Sequence, residues 1–191
     1  MMRLMSSMTI PKGATNAADH PGLGSNFFEP LWYAAYTKAN HEKRVAQQLE
    51  QRCVEHFLPV YQSIRRWKDR RICLQMPLFP GYVFVRLALR DRLKLLQIPG
   101  VVQLVNFNNQ PAPLPEEDIL AIRNCLGRSR RVEPHPYMQA GLRVQVMSGP
   151  LQGLEGVLLR RKNKARFVLS FDLIMRSVAV EIDEVDLGPA S

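Results

Sequence analysis

Histidines, cysteines and grouped carboxylates are where reaction chemistry would show, and their spacing here is against it. His20, His41, His56 and His135 are scattered, and the "HE" at 41–42 has no second histidine at the spacing of a zinc-binding HExxH helix. Cys53, Cys73 and Cys125 are odd in number, far apart and in no CxxC. That pattern predicts neither a zinc site nor a disulfide framework, and it suits a reducing cytoplasm. No GxSxG occurs, and Ser148-Gly149 reads as a turn. The "GLG" at 22–24 does not sit between a strand and a helix, so it is no dinucleotide fingerprint. Glu116, Glu117 and Asp118 read as a solvated helix start. The expectation is a protein that is not an enzyme and uses no cofactor or metal.

The chemistry on offer is binding. "PLFPGYVFVRL" (77–87) reads as a strand launched from the Pro80-Gly81 turn. Alternate side chains point to opposite faces, so Val83, Val85 and Leu87 share one face while Tyr82, Phe84 and Arg86 share the other. The first set is core. The second is an aromatic patch, of the kind that marks a docking surface unless the chain itself covers it. A second binding feature is "RRWKDRR" (65–71) within 62–75, a stretch with five basic residues and one acid that reads as an exposed hairpin loop.

The elements that position these residues follow from pattern. Residues 1–30, rich in Gly, Pro, Ser, Ala and Asn, read as a disordered tail. "LWYAAYT" (31–37) is a strand. Residues 40–53 form a helix with Val45, Leu49 and Cys53 on one face, Asn40 as N-cap and Glu42 in the first turn. Residues 55–61 are a strand. Residues 90–98 are a short helix with Leu93, Leu95 and Leu96 inward, ending at Pro99-Gly100. Residues 101–107 are a strand and 115–126 a helix. The order β-α-β-β-α-β predicts an α+β, ferredoxin-like domain over 31–126, with two helices on one face of a four-stranded sheet. Residues 127–139 read as a mobile linker. Residues 140–191 show short alternating strands with glycine turns and no helix signal, which predicts a small five-stranded β-barrel.

The net charge of +9 favours nucleic acid or another acidic partner, and it is uneven. Residues 31–139 hold 17 basic and 9 acidic residues, and 140–191 hold 7 and 6. Nucleic-acid contact is therefore expected in the first domain. The barrel's positive charge gathers in "RRKNKAR" (160–166). The N-terminus lacks the apolar core of a signal peptide, and no run approaches the ~18 apolar residues of a membrane helix. A cytoplasmic protein, monomeric and without membrane contact, is expected.

Three segments together resemble the NusG family of transcription elongation factors over residues 31–187. "LWYAAYTKANHEKRVAQQL" resembles the opening strand and helix of the family's NGN domain. "PLFPGYVFVRL" is similar to its most distinctive segment, and "LRVQVMSGPLQGLEGVLLR" to a KOW motif with Gly149 and Gly156 at its turns. The resemblance implies that the NGN domain docks on the clamp helices of the largest subunit of bacterial RNA polymerase and reduces pausing. It carries the docking role onto Tyr36, Pro80, Gly81, Tyr82, Phe84 and Phe107, so the aromatic face is expected to be covered by a partner and not by this chain. It implies contact of Lys38, Arg44, Gln48 and Arg52 with upstream non-template DNA. It implies that the KOW barrel recruits Rho or a small-subunit ribosomal protein through 170–177, with Ile174, Met175 and Arg176 at the contact. Ile174 stands where general members often carry an aromatic. The tail and "MRSVAVEID" resemble specialised antiterminators of the RfaH kind more than the housekeeping factor, although no helical state of the barrel is expected. Alternatives are the housekeeping factor, also active in Rho-dependent termination, and a ribosome-associated KOW protein that binds RNA.

Overall fold

The computed structural model describes residues 27–67, 70–128, 132–138, 141–149, 151–161, 164–182 and 186–190. In chain order, β1 (Leu31–Thr37) leads into α1 (Glu42–Gln51), β2 (His56–Phe57), β3 (Val60–Trp67), β4 (Arg70–Pro77) and β5 (Tyr82–Leu87). A single 3-10 turn at Leu89–Asp91 precedes α2 (Arg92–Leu96) and β6 (Val101–Leu104). The short strands β7 (Asn106–Phe107), β8 (Gln110–Pro111) and β9 (Pro113–Leu114) lead to α3 (Glu116–Arg128). The rest is β: β10 (Val132–His135), β11 (Leu142–Val146), β12 (Glu155–Arg161), β13 (Lys164–Phe171), β14 (Arg176–Ile182) and β15 (Leu187–Pro189), with a 3-10 turn at Asp172–Ile174.

The first sheet has the order β2-β5-β1-β6, with β9 beside β1, and its strand pairs are antiparallel. With α1 and α2 this is the ferredoxin-like arrangement. Strand pleating divides it as the alternation predicts. Tyr33 and Ala35 of β1 and Val83, Val85 and Leu87 of β5 are buried together with Val45 and Leu49 of α1 and with Leu95 and Ile98. Trp32, Ala34 and Phe84 point the other way, against Ile119, Ile122 and Cys125 of α3. The Arg123 guanidinium lies 5.4 Å from the Trp32 ring centroid and 5.0 Å from that of Phe57, which fastens α3 across the sheet.

Several local expectations need correcting. Asn40 adopts φ +62°, and His41 is the N-cap residue of α1, without a side-chain cap. Residues 62–75 are not an exposed loop: β3 and β4 pair over eight positions in a sheet of their own. Only His56–Phe57 of the predicted 55–61 strand joins the main sheet. The hairpin-tip residues Lys68 and Asp69 lie outside the described residues, as do 1–26 of the expected tail. In α2 only Leu95 is buried, while Leu93 and Leu96 are exposed. The helix has only five residues, too few to carry a wide apolar stripe.

The second sheet runs β10-β14-β13-β12-β11-β15, six strands where five were expected. The extra one, β10, comes from the stretch read as a linker, and it pairs with β14 from Val132 to His135. Residues 129–131 and 139–140 of that stretch lie outside the described residues. Gly149 and Gly153 occupy turns, but Gly156 lies inside β12. A Cβ there would stand 2.6 Å from the Phe167 ring and 2.5 Å from the Val168 carbonyl oxygen, so glycine is required by contact and not by turn geometry.

The two sheets share one buried apolar cluster. Phe79 and Phe84 from the first half join Phe167, Phe171, Ile174, Val178 and Val180 from the barrel. The Phe79 ring stands edge-to-face with both Phe84 (centroids 5.6 Å apart, 83°) and Phe171 (5.4 Å, 88°). At the margin of this contact, burial first, then Glu117 and then Asp172 of the barrel push the Asp118 carboxyl above its ordinary range. The folded state thus holds the Asp118 proton to higher pH than the unfolded chain does. Its favourable effect is complete in acid and fades as pH rises through the raised value. Asp118→Asn is expected to raise the thermal midpoint at pH 7 and to change it little near about pH 3. Paired unfolding scans at the two pH values check this.

Candidate functional site

At one end of the first sheet the chain leaves Phe79, turns through Pro80-Gly81 and enters β5. Tyr82 there pairs with Tyr36 of β1 in register. The two rings lie 5.6 Å apart at 54°, with Tyr36 42% exposed and Tyr82 half-buried. Their position depends on the turn. Gly81 has φ +87°, a conformation that glycine adopts without a Cβ clash. An added Cβ would also meet the Tyr36 ring at 3.3 Å. The Gly81 carbonyl accepts from the Thr37 N–H at 2.8 Å. Its own N–H donates to Glu42 Oε1 at 2.7 Å. Glu42 lies in the first turn of α1 and is only 4% exposed. Its carboxyl ties the helix start to the turn that carries both tyrosines.

The residues expected to form one docking face fall into three environments. Tyr36, Pro80 and Tyr82 border solvent around the buried Gly81. Phe84 does not: it is 1% exposed, enclosed by Phe57, Phe79 and the shared cluster. Residues of this chain, and not an outside partner, therefore cover that part of the face, and the barrel's Phe171 packs on Phe79. Phe107 is 68% exposed on the β7–β8 hairpin, a separate two-stranded sheet, and belongs to neither group. Its strand ends at Asn108 and Asn109, both at positive φ, where the chain turns away.

The four α1-side residues are only partly free. Lys38 and Arg44 are exposed near the helix start. The Gln48 side-chain amide donates to the carbonyls of Pro99 and Arg44 at 3.3 and 3.4 Å. Arg52, the C-cap residue, donates to the Lys94 carbonyl at 3.4 Å. In the barrel, Ile174 is 3% exposed within the shared cluster and is not offered to a partner, which corrects its expected role. Met175, at φ +50°, is 57% exposed, and Arg176 is exposed beside it. Sequence reasoning missed Glu42 as an anchor and Phe79 and Phe171 as contact residues. Glu42 also satisfies the helix-start preference for acids, which hides its second role.

Burial pushes the Cys125 thiol up to about 12, so it stays protonated and inert at neutral pH. Cys53 and Cys73 are exposed. Among the described residues, no group of three or more His, Cys, Asp or Glu side chains is placed to hold a metal ion.

Removing the Glu42 carboxyl leaves the Gly81 N–H without its partner in a buried setting. Glu42→Ala is expected to cost about 1–3 kcal/mol, read by urea denaturation, and Glu42→Gln, which keeps an acceptor oxygen, is expected to recover most of it.

Residues 30–123 match the family model described as Transcription termination factor nusG. The NusG of Thermus thermophilus, named a transcription termination/antitermination protein, is 25% identical over 173 residues, covering 80% of this chain and 94% of that protein. The protein of the same name from Yersinia pestis is 26% identical over 166 residues (80% and 92%). That of Helicobacter pylori is 28% identical over 131 residues (62% and 74%). Among solved structures, one titled "Domain interaction in Thermotoga maritima NusG" superposes with a TM-score of 0.54 at 21% identity, covering 85% of this chain and 98% of that one. That likeness supports the fold, an NGN domain followed by a KOW barrel. The family is one of transcription factors and not of enzymes. On the matched domain, the shared names and the shared fold, the chain belongs to the NusG family.

Proposed function

We propose that this protein is a transcription elongation and antitermination factor that docks on the clamp helices of RNA polymerase's largest subunit and reduces pausing. The observation that carries the reading is the Tyr36–Tyr82 pair, solvent-facing on a turn held by Glu42. A helix tip seated on rigid aromatics is a common recognition mode, and buried aromatics dominate such interfaces. Residues 31–126 act as the polymerase-binding unit. Lys38 and Arg44 approach upstream non-template DNA through its phosphates. The barrel recruits a second partner through Met175 and Arg176. The protein works in the cytoplasm, as a monomer.

In this reading, a polymerase helix that stops at Tyr36, Pro80 and Tyr82 binds the arrangement described here. One that reaches Phe79 displaces the barrel's Phe171 and leaves the barrel to engage its own partner through Met175 and Arg176. That partner is a small-subunit ribosomal protein in the antiterminator reading. The curated relatives' names join termination to antitermination, which favours a second reading in which the partner is Rho.

In vitro transcription with purified bacterial polymerase tests the proposal, with fewer and shorter pauses expected. Adding Rho separates the two readings, since only the second expects more termination. Tyr82→Ala is expected to weaken polymerase binding by about 2 kcal/mol, about thirtyfold, with an unchanged thermal midpoint. Normal binding by a folded Tyr82→Ala protein would overturn the docking site.

A further inference from the structure

Residues 132–138, between the two halves of the chain, are built into the barrel. β10 adds to the edge of β14 from Val132 to His135. Arg166 of β13 reaches across to Glu133 of β10 at 3.2 Å and lies 4.0 Å from Glu181 of β14. Beyond the strand, the Tyr137 hydroxyl donates to the Asp172 carboxylate at 2.8 Å. The Met138 N–H donates to Ser177 Oγ at 3.1 Å, and Ser170 Oγ donates to the Met138 carbonyl at 2.5 Å. The two serine hydroxyls stand 2.8 Å apart, and Ser177 is buried. The segment is a strap, held by a strand ladder at one end and a serine clasp at the other.

The strap fixes how much chain joins the two halves. Helix α3 ends at Arg128 and is fastened to the first sheet through Ile119, Ile122 and Arg123. With β10 in place, only the three residues 129–131 separate α3 from the barrel, a reach of at most about 14 Å. With β10 off β14, the barrel begins at Leu142 and the tether holds the thirteen residues 129–141, a reach of about 50 Å. The Phe79–Phe171 contact is the same in both cases, but its two sides are held together differently. The effective concentration of one tethered surface about another falls roughly as the −3/2 power of tether length. From three residues to thirteen that is about ninefold. Val132 acts in the same direction, because it is buried in the cluster that the two sheets share.

We infer that residues 132–138 form an adjustable tether, and that the pairing of β10 with β14 sets how often the barrel covers the first sheet. Strapped, the barrel pivots open over a short distance and falls back on Phe79. Unstrapped, it travels far enough to serve a partner remote from the first domain. The inference holds whichever partner the barrel recruits.

Hydrogen exchange of the full chain, read by mass spectrometry, tests this. Peptides over 116–128 and 170–176 report the domain contact, 132–138 the strap, and 157–168 the barrel's own ladder. Inserting ten Gly and Ser residues between Arg128 and Val132 lengthens the tether and leaves β10 in place. Exchange at the domain contact is expected to quicken about ninefold, with the strap unchanged. Glu133→Ala with Ser170→Ala removes the ion pair to Arg166 and one bond of the clasp, and neither residue lies in the shared cluster. This pair is expected to quicken exchange in both the strap and the domain contact. In that background the same insertion takes the tether from thirteen residues to twenty-three and is expected to add only about twofold. A faster strap with an unchanged domain contact would overturn the inference. So would no effect of the insertion in the parent chain, or a ninefold effect in both backgrounds. If the alanine pair also quickens exchange over 157–168, Tyr137→Phe, which deletes the bond to Asp172, takes its place with the same outcomes.

Discussion

Strand β5 is buried on both of its faces, and the rest of the molecule is arranged around that constraint. Val83, Val85 and Leu87 need one apolar cover and Phe84 needs another. A strand alternates its side chains, so no single layer can supply both. Helices α1 and α2 close the first face. Helix α3 closes part of the second, and the barrel closes the remainder by bringing Phe171 against Phe79. Burying one such ring contributes about 1.5–3 kcal/mol, so the barrel's position follows from the same effect that forms the core. What stays outside both covers is the far end of the sheet, and there the tyrosines stand.

That division gives the barrel segment 170–177 two roles that compete. Phe171 and Ile174 are buried in the shared cluster, while Met175 and Arg176 face solvent. A left-handed residue, Met175, marks the change of direction between them. Phe84 is enclosed by Phe57, Phe79 and α3, and the barrel's sheet joins that cover at Phe79 by edge-to-face aromatic contact and not by backbone pairing. An interface of that kind can open without breaking a strand ladder. Asp118 and Asp172 add a like-charge term at its margin that grows as carboxyl protons leave.

The first domain is polar in the literal sense, with different chemistry at its two ends. At the end of β1, a carboxyl and a glycine hold two tyrosines in a fixed orientation. At its beginning, cations border an apolar floor, with Arg90 beside the Phe28 ring. Rigid backbone joins them, since β1 is hydrogen-bonded to β5 along Leu31–Tyr36.

Local sequence was enough for whatever depends on period and composition. The alternation in 82–87 separates Val83, Val85 and Leu87 from Phe84 correctly, because the side-chain period of a strand is 2 whatever surrounds it. The helix at Val45 and Leu49, the β character of the C-terminal part and the ferredoxin-like order follow from the same kind of pattern. What covers a face is not a local property. Phe84 and Phe171 are 87 positions apart in the sequence, and no periodicity records that Phe79 stands between them. Ile174 likewise reads as a loop residue until the other sheet is placed over it. The dual use of Glu42 was equally hidden, because a first-turn acid is expected on helix-dipole grounds alone. Period, composition and turn chemistry determined the elements and their faces. Only the tertiary structure decided which faces meet one another and which are left to solvent, because burial depends on contacts between segments that share no sequence neighbourhood.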